Sequence, residues 1–284
     1  MVATSATTPW RLLAQLFARP LMATAAQEGS PRVFHQALRA AGVRATKDEP
    51  LGSVLDECMG RLQRHYRCEY VYKAAVADRV VFGRHSPRTA SLHVELPVGR
   101  SIVDLAVFNG TSTAYEIKTE FDSEKRLASQ ASTYLKAFEH VYVVCHPDRV
   151  ERCLRVSDPA VGVLALTRRG QLATVRPAIA SRDRMDRSLL FRLLRASEYQ
   201  AAVERLCGTQ PDMPNGKRFS HYSRVWETLT LDQAHQAVVA AMRRRTTQSS
   251  VSEFVSALPK SLRVLGYATP LSAPQQQRLL NILH

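Results

Sequence analysis

The chain has 284 residues and carries 39 Lys and Arg against 25 Asp and Glu, so its formal net charge is +14 and its pI is near 10.0. This excess favours a polyanionic partner, most simply nucleic acid, although a basic soluble protein without such a partner has the same composition. The five cysteines are an odd number without CxxC spacing, which argues against a disulfide framework or a zinc knuckle and fits a cytoplasmic protein.

The first third of the sequence predicts helices. Residues 8–45 have helical spacing, interrupted by a Gly-Ser-Pro turn signal within 27–32. The N-terminus is poor in acidic residues, as transit peptides are, but it lacks a continuous apolar core, so we assign it to an amphipathic helix of the folded protein. No apolar run approaches a membrane span, and we expect no membrane partner. From Leu51 apolar residues recur at helical spacing, and this helix is expected to continue toward Glu69 and Lys73.

From Ser91 the apolar period changes to two, which is typical of strands. The pattern predicts a meander of strands 91–98, 101–109 and 112–119, a helix 123–138, a strand 140–145 and a hairpin 161–177. Everything after about residue 183 has helical character, with the loop 209–223 as the best candidate boundary. We therefore divide the chain into a helical segment 1–50, an α/β core 51–182 and a helical region 183–284.

Three charged residues on the meander are predicted to converge. Glu116 and Lys118 are two apart on one strand and share a face. If Asn109-Gly110-Thr111 forms the loop, residue 108 pairs with 112, and Asp104 then lies opposite Glu116. Opposed like charges are costly without a cation, and Mg²⁺ takes one or two protein carboxylates. The set is suited to metal-assisted phosphodiester hydrolysis.

The helix after the meander carries a second polar signal. Its apolar stripe contains Leu127, Tyr134 and Phe138, and Gln130 falls within this stripe. A buried amide needs hydrogen-bond partners. Gln130 and Tyr134, one turn apart, are therefore expected to face the carboxylates or a substrate strand; the alternative is that Gln130 lies at the margin of the stripe and reaches water.

The pattern D-x11-E-x-K followed by Q-x-x-x-Y resembles the PD-(D/E)XK nuclease superfamily, in particular its RecB-like branch. The resemblance covers roughly residues 60–180, and Val103 stands where the motif has a leading proline. It implies an α/β fold whose core contains an entry helix, a mixed sheet with a three-stranded meander, a crossing helix, a fourth strand and a hairpin. The predicted helices at both ends of the chain would be additions to this core.

The same resemblance implies a function and a site. Asp104, Glu116 and the backbone carbonyl of Ile117 would hold Mg²⁺, with Mn²⁺ able to substitute, and Lys118 would be the catalytic lysine. Gln130 and Tyr134 match the helix motif. The superfamily often adds an upstream acidic residue, for which we favour Glu69 over its rival Glu95. The resemblance thus implies a metal-dependent nuclease, most simply of DNA, in a bacterial or phage setting, with phage defence or DNA processing as its role.

Basic residues outside the motif are further candidates for nucleic-acid binding. Arg100 precedes the strand of Asp104, and Arg243, Arg244 and Arg245 end a helix. The alternatives are a solvated arginine and cations that suit the helix dipole. A catalytically silent nucleic-acid-binding protein of the same fold stays open as a function, as does a nuclease that needs a partner protein or a second copy of the chain, because the helical flanks offer docking surfaces.

Overall fold

The middle of the chain, rich in β-branched residues, forms one mixed sheet in the computed structural model, which describes residues 8–44 and 49–284. The strands follow one another across the sheet in sequence order. They are β1 (Ser91–Val98), β2 (Ser101–Phe108), β3 (Ser112–Lys118), β4 (His140–Cys145), β5 (Gly162–Leu166) and β6 (Leu172–Arg176). The predicted three-stranded meander, fourth strand and hairpin are therefore confirmed.

Strand direction changes in the centre of the sheet. The pairs β1–β2, β2–β3 and β5–β6 are antiparallel, whereas β3–β4 and β4–β5 are parallel. Parallel neighbours need a crossover connection, and here helices supply it. Consequently the carboxyl ends of β3, β4 and β5 and the amino end of β2 lie at one end of the sheet, which we call the carboxylate end.

Helices cover both faces of the sheet. They are α1 (Thr8–Gln15), α2 (Arg19–Glu28), α3 (Arg32–Ala40), α4 (Leu51–His65), α5 (Glu69–Val76), α6 (Leu127–Tyr134), α7 (Val150–Val156), α8 (Arg187–Arg192), α9 (Ala196–Cys207), α10 (Asn215–Trp226), α11 (Leu231–Thr247), α12 (Ser249–Ala257), α13 (Arg263–Ala268) and α14 (Ala273–Leu283). A π-helical segment, Ala77–Arg84, continues α5. Within the described ranges no helix has the length and apolar character needed to cross a membrane.

Two apolar cores sit on opposite faces of the sheet. The first joins α1–α5 and α12–α14 to the sheet, and the second joins α6–α11 to the other face. The last helices thus pack with the first ones, as the bond from Arg278 Nε to the carbonyl of Ala26 shows (3.0 Å). The predicted C-terminal region 183–284 is divided between both faces, while the domain boundaries at 50 and 182 stay predictions.

Several predicted boundaries need correction. The helix from Leu51 ends at His65, because the chain turns at Tyr66–Cys68 before α5 begins at Glu69. The predicted helix 123–138 begins as a 3₁₀ turn, with the Ser123 hydroxyl accepting from Lys125 N, and its α-helical part ends at Tyr134.

The remaining differences are at connections. Helix α7, between β4 and β5, is absent from the predicted elements, and α10 occupies much of the predicted loop 209–223. The first turn of the meander lies at Gly99-Arg100 and not at Pro97–Gly99. Part of the predicted N-terminal amphipathic helix, residues 1–7, and part of the predicted helical stretch 8–45, residue 45, lie outside the described residues.

A substitution at Gly162 of β5 would test how closely the sheet is packed. A Cβ atom there would lie 2.3 Å from the Tyr142 ring and 2.7 Å from the backbone nitrogen of Ala178, so a larger residue forces the strand to shift. We expect Gly162→Ala to lower the free energy of unfolding by about 1–3 kcal/mol. Gly216→Ala is the matched control, because no atom lies within 4 Å of its added Cβ. Equal urea midpoints for both variants would contradict this packing argument.

Candidate active site

Asp104 and Glu116 lie side by side at the carboxylate end. The β2–β3 register pairs Phe108 with Ser112 and Leu105 with Tyr115, so the next positions are 104 and 116, as predicted. The strand ladder gives way there to a side-chain contact: Ile117 N donates to Asp104 Oδ2 at 2.7 Å. The two carboxylates thus share one patch between two strand ends.

The pKa of Asp104 reflects this crowding. Burial, followed by the charge of Glu116, raises the pKa of Asp104 from 3.8 to about 7. The hydrogen bond from Ile117 N opposes this rise, and Glu69 and Lys73 act on it in opposite directions. Asp104 is therefore a carboxylate that lacks sufficient positive charge around it.

The negative charge of Glu116 has more hydrogen-bond donors around it than that of Asp104. Its side chain is 3% exposed, and Lys118 Nζ donates to its Oε1 at 2.8 Å. The Tyr134 hydroxyl lies 3.0 Å from Glu116 Oε2 and 2.7 Å from the Ile102 carbonyl, and its one proton serves these two acceptors. Burial and the neighbouring Glu116 raise the pKa of Tyr134, so it stays a neutral donor.

Gln130 belongs to the same cluster. Its Oε1 accepts from Lys118 Nζ at 3.3 Å, and its side chain is half-buried. The predicted placement of Gln130 toward the sheet is confirmed. Its amide and the carboxylate of Glu116 hold the ammonium group of Lys118 between them, which fixes the position of that cation.

Lys73 is a site residue that sequence reasoning missed. This buried ammonium group lies 2.5 Å from Glu69 Oε1 and 3.0 Å from Glu95 Oε1. Glu95 also pairs with Arg19 at 2.9 Å, and its backbone has a left-handed φ of 54°. The signal that could have found Lys73 is its i+4 spacing from Glu69 in an otherwise apolar helix.

The two rival acidic residues therefore share one partner. Glu69 opens α5 and its side chain is 54% exposed, so, contrary to the prediction from the sequence, it does not continue the apolar stripe of the helix from Leu51. The charge of Glu69 raises the pKa of Asp104, and Glu95 stands at the β1 position opposite Asp104, between the pairs Val94–Leu105 and Leu96–Val103. Both carboxylates therefore stay candidates for the upstream acidic residue.

The arginine candidates have different surroundings. Arg100 is exposed in the β1–β2 turn, at the same end of the sheet as the carboxylates. Arg243 and Arg244 are exposed on α11. Arg245 donates to Glu198 Oε1 at 2.7 Å and to the Leu193 carbonyl at 3.0 Å, and its side chain is 13% exposed. Arg245 thus joins α11 to α9 and α8 within the chain, and its predicted contact with nucleic acid is not supported.

The oxygen atoms of Asp104, Glu116 and Ile117 can be compared with what a magnesium ion requires. Within the described residues, no group of three or more His, Cys, Asp and Glu side chains is arranged to hold a metal. Magnesium needs only one or two protein carboxylates, and the Asp104–Glu116 pair supplies two hard oxygen donors. The carbonyl of Ile117 points to the same side of β3 as its N–H, toward Asp104. These residues fit a magnesium ion.

Comparison with known proteins identifies a family. The family model described as "Bacteriophage P4 protein cII" matches residues 63–265, which is more than half of the chain and includes Asp104, Glu116 and Lys118. The chain therefore belongs to the bacteriophage P4 protein cII family. "Protein cII" of Enterobacteria phage P4 is 41% identical over 61 residues, covering 22% of this chain and 23% of the phage protein. No solved structure matches the chain.

The raised pKa of Asp104 predicts a pH-dependent effect of Asp104→Asn. Since the pKa is about 7 in the folded protein and 3.8 ordinarily, ionisation costs stability as pH rises between these values. Asparagine does not ionise, so the variant does not lose stability in this way. We expect the variant to gain stability relative to wild type from pH 4 to 7 and then to stay constant, measured by urea unfolding in EDTA. Glu116, Glu69 and Lys73 are the charged groups that act on the pKa of Asp104. A difference in stability that does not change with pH would contradict the raised pKa.

Proposed function

We propose that the protein is a metal-dependent nuclease that hydrolyses phosphodiester bonds, most simply those of DNA. The observation that carries this proposal is the cluster of Asp104, Glu116 and Lys118, with the lysine held between Glu116 and Gln130. The order of elements from α5 through β6 further supports a PD-(D/E)XK-like core. The net charge of +14 suits a phosphate-bearing substrate.

Each residue of the site has its own role in the proposed reaction. Asp104, Glu116 and the Ile117 carbonyl would hold magnesium, which supplies Lewis-acid polarisation of the phosphoryl group and an acidified water. Lys118 places a fixed positive charge where negative charge develops on the phosphate. Gln130 positions the ammonium of Lys118, and the Tyr134 hydroxyl positions the carboxylate of Glu116. Arg100 lies at the same end of the sheet, where a phosphate next to the scissile one can reach it.

The second candidate is a nucleic-acid-binding protein of the same fold that is silent or needs a partner. One observation favours it: both carboxylate oxygens of Glu116 already accept hydrogen bonds within the chain, from Lys118 and Tyr134. A metal ion must then compete with these donors. The partner, if one is needed, would be a second protein or another copy of this chain, with the effect of reorienting Glu116.

The deciding experiment uses circular and linear DNA and RNA with Mg²⁺, Mn²⁺ or EDTA. We expect wild type to cleave with either metal and to be silent in EDTA. Lys118→Met and Glu116→Gln keep side-chain volume and should lower the cleavage rate by at least about 100-fold, because charge stabilisation or ligation is lost.

Lys136→Met is the matched control, since Lys136 is exposed in the turn after α6 and its substitution removes the same charge. The affinity of all three variants for nucleic acid should stay within about twofold of wild type, because affinity is summed over many phosphate contacts. The nuclease proposal would be wrong if the protein bound nucleic acid tightly but cleaved none under any condition, and if Lys118→Met changed neither result. The nucleic-acid-binding protein would then be the better account.

The exposed pair Arg243 and Arg244 generates a separate prediction. If both side chains contact phosphates, Arg243→Ala/Arg244→Ala should weaken binding and reduce the slope of log affinity against log salt by about 0.9 per lost contact. Arg245→Ala should instead lower the free energy of unfolding, because it leaves Glu198 without its ion-pair partner. An unchanged salt slope in the double variant would show that these arginines are only solvated.

A further inference from the structure

A cavity of about 560 Å³ lies away from the candidate active site, on the other side of α5. Its walls come from α4, from α5 with its π-helical continuation, from the β5–β6 turn and from the 3₁₀ turn Lys260–Leu262. Val71, Ala74 and Asp78 of the α5 region face this space, whereas Glu69 and Lys73 are directed toward the carboxylates. We call it the cationic cavity.

The charges around the cationic cavity are unbalanced. Four cationic side chains line it, and only two carboxylates: Arg79, Arg169, Lys260 and Arg263 against Asp56 and Asp78. Asp56 Oδ1 already accepts from Ser261 N at 2.8 Å, and Asp78 Oδ1 lies 3.4 Å from Arg263. Among the described residues, Arg79, Arg169 and Lys260 take part in no ion pair. The excess charge is suited to an anion.

Two buried polar groups in the wall point to a ligand. Ser261 is 2% exposed, and its hydroxyl has no hydrogen-bond partner among the described residues. The same is true of Arg263 Nε. Buried polar groups are nearly always satisfied, so a buried hydroxyl and a buried N–H without partners in the wall of a cavity are candidate donors for a bound acceptor. A phosphate group has the required oxygens and charge.

The adjoining cavity adds an aromatic surface. It has a volume of about 360 Å³ and shares Arg79 with the cationic cavity. Tyr115 and Tyr142 line it, with their rings stacked at 5.7 Å and 13°. Aromatic faces of this kind bind planar heterocyclic bases. Arg79 lies on the π-helical segment, and π-helical turns frequently occur at functional sites.

We propose that the two cavities together form a nucleotide-binding site. The cationic cavity takes the phosphate groups through Arg79, Arg169, Lys260 and the unpartnered donors of Ser261 and Arg263. The tyrosine-lined cavity takes the base. The combined volume is in the range of small-molecule sites. This site does not depend on the proposed nuclease activity, although a nucleotide bound there would pack against α5, which carries Glu69 and Lys73.

The test is titration calorimetry of the full chain with ATP, inorganic pyrophosphate and adenosine. We expect saturable ATP binding below about 1 mM, weaker pyrophosphate binding and still weaker adenosine binding. Lys118→Met should bind ATP like wild type, which separates this site from the nuclease proposal. Absence of ATP binding would overturn the proposal, and so would equal affinity for ATP and pyrophosphate, since the tyrosine cavity would then bind no base.

Variants assign the binding to these residues. Arg79→Gln, Arg169→Gln and Lys260→Gln change exposed side chains and should each weaken ATP binding by roughly 10-fold or more, since a charged hydrogen bond is lost. Arg88→Gln is the control: it removes one arginine charge at a side chain that is 74% exposed and does not line either cavity. An equal loss of ATP affinity in Arg88→Gln would show that ATP binding depends only on the net charge of the protein, and would overturn the assignment to these residues.

Ser261→Ala distinguishes a ligand donor from a structural residue. Because the hydroxyl is buried without a partner, its removal should leave the thermal midpoint of the free protein unchanged or raised. The same variant should weaken ATP binding and shrink the ATP-induced rise in that midpoint. A lowered midpoint in the free protein together with unchanged ATP affinity would overturn the role given to Ser261.

Discussion

Two carboxylates at neighbouring strand ends repel each other, and the structure around Asp104 and Glu116 is arranged to tolerate this repulsion. The β2–β3 ladder gives way to a bond from Ile117 N to Asp104, while Lys118 and Tyr134 bond Glu116. Removing any of these donors would leave a buried acceptor uncompensated. The packing of α6 against the sheet matters for the same reason, because it brings Gln130 to Lys118 and Tyr134 to Glu116.

The site has the opposite charge to the molecule around it. Four carboxylates, those of Glu69, Glu95, Asp104 and Glu116, meet only three cations, Arg19, Lys73 and Lys118, in a chain of net charge +14. The wider field draws phosphate toward the protein, whereas the local excess of carboxylates favours a cation. A phosphodiester and a magnesium ion are both attracted to a place where such fields adjoin, which is the electrostatic basis of the proposed nuclease.

Helix α5 stands between two sets of polar groups. One side carries Glu69 and Lys73 toward the carboxylates, and the other borders the cationic cavity. The turn at Tyr66–Cys68 sets this orientation, because a helix continuing straight from α4 would present a different face. A ligand in the cavity and an ion at Asp104 would thus lie on opposite sides of one helix.

Local pattern alone determined much of this protein. The period of two predicted the meander, and the three-residue loop after Phe108 predicted the register that puts Asp104 beside Glu116, because side-chain direction in a strand follows from counting residues. Gln130 was placed correctly, since an amide within an apolar stripe needs a partner. The tertiary structure alone decided which partners distant residues meet. Lys73 reaches Glu95 across 22 positions, Arg245 pairs with Glu198, and Ser261 lies in the wall of a cavity beside α5. Such contacts depend on how helices pack and not on the spacing of neighbours along the chain.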